Sequence, residues 1–115
     1  MMKQQQIEIH AYRPKPTRVG LAQVVVAHAF DVSLHELTGS TRGNPRAARA
    51  RQISMYLIHV VFGMNLAEIG RAFGRDRSTA AHACHQIEDM REDPELDRTI
   101  GWLETLLRGA AGMPV

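Results

Sequence analysis

Residues 74–84 read GRDRSTAAHAC, and they concentrate hydrogen-bonding chemistry in a few positions. An aspartate stands between two arginines, Arg75 and Arg77, and two hydroxyls follow at Ser78 and Thr79. Three residues further on comes His82. These groups suit recognition of a polyanion better than bond-breaking. Arg77 can offer a fork of donors to guanine O6 and N7, and Asp76 can accept from a cytosine amino group. Ser78 and Thr79 can bond bases or phosphates, and the Thr79 methyl can meet a thymine methyl. Ala80 and Ala81 keep the surface low enough for close approach. The plainer alternative is an ordinary helix start, with Asp76 or Ser78 as N-cap and the arginines in water.

Other chemistry fits the chain less well. His82 and His85 lie three apart with Cys84 between them, a spacing that metal ligands can use. On a helix, however, Cys84 falls toward the apolar stripe while His82 faces outward, and no second Cys or His cluster lies near. No metal is therefore expected. Cys84 reads as a small core residue, not a nucleophile. No carboxylate pair stands apart from ordinary surface charge, and no G-x-x-x-x-G-K-[ST] phosphate loop occurs. The expectation is a non-enzyme without cofactor or ATP.

The polar cluster needs an element to hold it. "LAEIGRAFG" at 66–74 predicts a short helix over Leu66–Phe73, burying Leu66, Ile69 and Phe73, with Gly70 allowing close approach and Gly74 at the turn. A second helix follows from Arg77 or Ser78 to Arg91, with Ala80, Ala83, Cys84, Ile87 and Met90 as its buried stripe. Short helix, glycine turn and second helix form a helix-turn-helix pattern, whose second helix enters the DNA major groove by its N-terminal residues. Upstream, a helix over Arg46–Phe62 buries Ile53, Leu57, Val60 and Val61. It begins with Arg46, Arg49 and Arg51 and no acid, which disfavours an isolated helix but suits phosphates.

The remaining elements also read as helices. A helix over Val19–Phe30 presents Leu21, Val24, Val25 and His28 or Ala29 on one face. Ser33 and Glu36 have capping-box spacing before a short helix ended by Gly39. Residues 39–45 form a loop. A last helix over Glu95–Arg108 buries Leu96, Ile100, Leu103 and Leu107, with Trp102 taken as a core residue beside them. No strand pattern is convincing. The expected fold is all-α, a compact bundle of about six helices over residues 19–108, between a weakly basic flexible arm (1–18) and a loose tail (109–115).

The chain has 115 residues, one domain's worth. Residues 1–85 carry eleven Lys/Arg against five Asp/Glu, and residues 86–115 carry three against seven, within an overall charge of +2. A basic body points to double-stranded DNA as partner. The acidic end, where Trp102 lies, allows a rival reading as a protein-interaction module or a homodimer contact. A single cysteine excludes an intrachain disulfide and fits a cytoplasmic setting. No secretory leader or membrane span is legible.

On these motifs the chain resembles the C-terminal, DNA-binding domain of the bacterial replication initiator DnaA. The family pattern, close to G-R-D-H-[ST]-T-V-x-H-A-x-x-x-I, is met by Gly74, Arg75, Asp76, Ser78, Thr79, His82, Ala83 and Ile87, with Arg77 in place of the usual histidine. "ARARQISMYL" (48–57) is similar to the basic R-x-R-Q-x-A-M-Y-L helix, and "LAEIGRAFG" to L-x-E-I-G-x-x-F-G. The resemblance implies that Asp76, Arg77, Ser78 and Thr79 lie at bases, and that Arg75, His82, Arg51 and Gln52 hold the DNA backbone. Arg49, in the same basic helix start, is assigned there too. It implies a minor-groove arginine from the loop before the basic helix. Gly43 stands at that position, leaving Arg42 or Arg46 to reach instead. It implies action in replication-initiation control or transcription regulation. Without a phosphate loop, the chain reads as either a free-standing relative or an isolated fragment, and the unmatched arm that begins with Met favours the former.

Overall fold

A computed structural model describes residues 17–39 and 44–114, and these form six helices. In chain order they are α1 (Arg18–Ala29), α2 (Leu34–Thr38), α3 (Pro45–Phe62), α4 (Leu66–Ala72), α5 (Arg77–Met90) and α6 (Pro94–Ala110). Arg42 and most of the predicted N-terminal arm lie outside the described residues.

Each helix starts where a short polar side chain accepts from the third residue on. Thr17, Ser33, Asn44, Asn65, Asp76 and Asp93 serve as the six N-caps. The Ser33–Glu36 capping box forms in both directions. Gly63 ends α3 in the left-handed region at φ 68°, which a β-carbon disfavours.

The hub is α3. Ten of its eighteen residues are buried, and it packs against α1, α2, α4, α5 and α6. Ile53, Leu57, Ile58 and Val61 meet Ala22 and Val26 of α1, Ile69 of α4, Ala80, Ala83 and Ile87 of α5, and Ile100, Leu103 and Leu107 of α6 in one core. Fully burying one such side chain contributes about 1.5–3 kcal/mol. α6 is braced at its start by Arg91, which bonds Asp97 at 2.6 Å and Glu104 at 3.1 Å. Its guanidinium also donates to the Tyr56 hydroxyl, which donates to Glu88.

Four expectations are corrected here. The buried face of α1 is Ala22, Val26 and Ala27, whereas Val24, His28 and Ala29 are exposed. The run LAQVVVAHAF is apolar on nearly every side, so spacing alone does not choose the inward face. Val60 lies at the edge of the α3 core and is exposed. Trp102 is 62% exposed, because it projects from α6 on the side away from Ile100, Leu103 and Leu107. The C-terminus also differs: α6 continues to Ala110, and a left-handed turn at Gly112 lets Met113 pack against the core.

Candidate nucleic-acid interface

The helix-turn-helix is built by α4, its turn and α5. Phe73 caps α4, and Gly74 takes φ 67°. The Arg75 amide then donates back to Gly70 O at 2.8 Å. Gly70 is required by this return: a β-carbon there would stand 2.7 Å from Arg75 O and 2.9 Å from Asp76 O. The chain can therefore turn tightly against α4 and enter α5 at a fixed place.

Asp76 organises that entry. Its Oδ1 accepts from Thr79 N at 3.2 Å, Ser78 Oγ at 2.9 Å and Thr79 Oγ1 at 2.9 Å. These bonds, led by the Ser78 hydroxyl, hold the Asp76 carboxyl below its ordinary pKa. Arg77 is the first residue of α5 and is exposed. Its side chain makes no hydrogen bond or ion pair with any described residue.

Beside α5 lies an open groove of about 800 Å³ against α3. One wall is Pro45, Ala48, Arg49, Arg51, Gln52 and Met55, and the other is Arg75, Ser78, Thr79, His82 and Ala83. Seven of the residues selected from sequence therefore share one groove: Arg49, Arg51, Gln52, Arg75, Ser78, Thr79 and His82. Asp76 and Arg77 stand at the entry to α5. Arg46 is not with them. It lines a separate small depression with Asp31, Val32, Glu36, Asn44 and Pro45.

The two groove arginines nearest the turn are also tied inward. Arg51 is 5% exposed, and it donates to Leu37 O at 2.8 Å and Glu36 O at 2.9 Å. Burial, and then the neighbouring Arg75 charge, lower its pKa, but a guanidinium remains protonated. Arg75 donates to Phe73 O at 2.7 Å and Gly39 O at 2.9 Å. Asn44 reaches Glu36 from the other side at 2.8 Å. Both flanks of residues 40–43 are thus fastened to α2 and to the turn. Sequence reasoning treated Arg51 and Arg75 as phosphate ligands alone and missed this bracing, because carbonyl partners leave no signature in residue type.

It also missed the link from α3 to the far end of α5. Arg49 Nη1 donates to Gln52 Oε1 at 3.0 Å and reaches the Met90 sulfur, while Gln52 Nε2 lies 3.4 Å from Gln86 Oε1. Helical spacing held a partial signal. Residues 45, 48, 49 and 52 fall on one face of α3, and 78, 79 and 82 fall on one face of α5. The Cys84 thiol is half-buried, and burial pushes its pKa up to about 11, which makes it unreactive. Among the described residues, no group of three or more His, Cys, Asp or Glu is arranged to hold a metal ion. No described helix is long and apolar enough to cross a membrane.

The family profile described as "Bacterial dnaA protein helix-turn-helix" matches residues 21–87, from α1 into α5. The chain belongs to this DnaA helix-turn-helix family. It is 40% identical over 103 residues to the chromosomal replication initiator protein DnaA of Mesorhizobium japonicum, covering 86% of this chain and 20% of that one. The corresponding protein of Laribacter hongkongensis is 39% identical over 88 residues, covering 75% and 18%. That of Deinococcus radiodurans is 34% identical over 103 residues, covering 87% and 22%. The chain thus spans about a fifth of the length of these relatives. A crystal structure of a DNA replication initiation factor superposes with a TM-score of 0.71 at 31% identity, covering 78% of this chain and 28% of that one.

Proposed function

We propose that this chain is a sequence-specific binder of double-stranded DNA, with α5 in the major groove. Asp76, Arg77, Ser78 and Thr79 read base edges. Arg49, Gln52 and His82 hold phosphates along the groove wall. Arg51 and Arg75 add positive charge to that wall while bracing α2 against the turn. The observation that carries this reading is the groove itself, where cationic and hydroxyl side chains from α3 and α5 converge beside an exposed, capped helix start. Membership of the initiator family supports action at replication origins or at promoters under initiator control, in the cytoplasm, without ATP binding by this chain. Arg42 remains the proposed minor-groove arginine, since Arg46 faces the other depression.

Titration of a random duplex pool at low salt, with the bound fraction sequenced, tests the reading. An enriched motif is expected, and the Arg49→Ala, His82→Ala double variant should lose most of its duplex affinity while keeping its circular dichroism spectrum. Unchanged affinity would sink it.

A second reading has one observation behind it. Trp102 and Leu106 are exposed on α6, at 62% and 40%, in the acidic end of the chain. Isolated apolar exposure is ordinary, but tryptophan is among the residues enriched at binding hot spots. A chain that acts mainly through this face, on a protein partner or a second copy, would bind duplex weakly and without salt dependence.

A further inference from the structure

Within the start of α5, hydrogen-bonding capacity is divided unequally. A hydroxyl has one proton to give and two lone pairs to receive with. Ser78 and Thr79 both spend that proton on Asp76 Oδ1, each at 2.9 Å. Outward they present lone pairs alone. An ionised carboxylate is likewise an acceptor only. Three of the four groups at this helix start therefore offer no donor to an incoming ligand, and in this arrangement none of the three can bond a phosphate oxygen. They match the amino groups on base edges, adenine N6 or cytosine N4.

Arg77 is the exception. Its guanidinium carries five donors and no acceptor. It stands exposed at the first position of α5, and its side chain is bonded to no described residue. In the major groove only guanine presents two acceptors, O6 and N7, on one base edge. A fork of two N–H groups fits that pair, whereas one ring N–H of a histidine cannot span it.

Taking the proposed binding of α5 in the major groove as its premise, we infer that Arg77 is a specificity-determining residue. It makes the target require a guanine opposite the start of α5, next to base pairs read through their amino groups by Asp76, Ser78 and Thr79. A histidine at this position, as in the pattern this chain resembles, would not impose that guanine.

The test compares wild type and Arg77→His in selection from a random duplex pool. The wild-type duplex is then remade with 7-deazaguanine, which lacks the N7 acceptor, at the selected guanine. Arg77 is exposed and lies outside the buried core, and circular dichroism checks that the variant is folded. The expected result is an enriched guanine in the wild-type motif that is absent from the Arg77→His motif. 7-Deazaguanine should weaken wild-type binding about tenfold, and it should leave Arg77→Ala binding unaffected. Identical motifs from wild type and Arg77→His, or equal wild-type affinity for guanine and 7-deazaguanine, would overturn the inference while leaving DNA binding intact. Failure of the wild type to retain any duplex at low salt would overturn the DNA-binding reading, and the inference with it.

Discussion

One carboxylate oxygen of Asp76 holds a helix cap and two hydroxyl protons at once. Its folded pKa lies below the ordinary value, so its contribution is complete above that value and is lost as pH falls through the folded one. The melting temperatures of wild type and Asp76→Asn should therefore differ near neutral pH and converge in acid. A constant gap would show that the charge is not what holds the cap. Ser54 presents the opposite case. It is fully buried in α3, and its hydroxyl finds no hydrogen-bond partner among the described residues. Ser54→Ala should stabilise the fold by about 1 kcal/mol in denaturant unfolding, since an orphaned buried hydroxyl costs more than it contributes. The cap was legible in the sequence, because residue type and spacing define it. The orphan was not, because whether a hydroxyl in a helix finds a partner depends on what packs around it.

Among the elements, α4 and α5 depend on contact between backbones, with Gly70 against the carbonyls of Arg75 and Asp76. Gly70→Ala must push the turn away. It should cost about 1–3 kcal/mol of stability and weaken duplex binding further than that, even where the variant is fully folded. Unchanged affinity of the folded variant would mean that α5 is not displaced. The contact between α2 and α3 depends instead on Arg51. Arg51→Ala removes two charge-assisted bonds from carbonyls and should lower unfolding free energy by about 2–3 kcal/mol. An unchanged melting temperature would show that the bracing is dispensable. The helix-turn-helix was legible because glycine, cap and apolar spacing agree along a short stretch. The inward face of α1 was not, since an apolar run with no polar side leaves its rotation to its neighbours.

Across the whole molecule, charge is separated along the chain, with a basic body and an acidic last helix region. Binding through about four phosphates would make affinity fall roughly a hundredfold between about 50 and 200 mM salt. Loss of Arg49 should reduce the slope by about one contact's share, roughly 0.9. A slope that Arg49→Ala leaves untouched would remove that residue from the backbone contacts. The asymmetry and most of the groove's cations were visible from residue types. Their meeting in one groove was not, because α3 and α5 are adjacent only through the core that both help to build. Trp102, the sole tryptophan of the chain, stands in water on α6. Its emission is thus already that of a hydrated indole in the native state, and unfolding will shift it little. Intrinsic fluorescence is a poor gauge of denaturation for this protein, but a blue shift in it would report directly that something has covered α6.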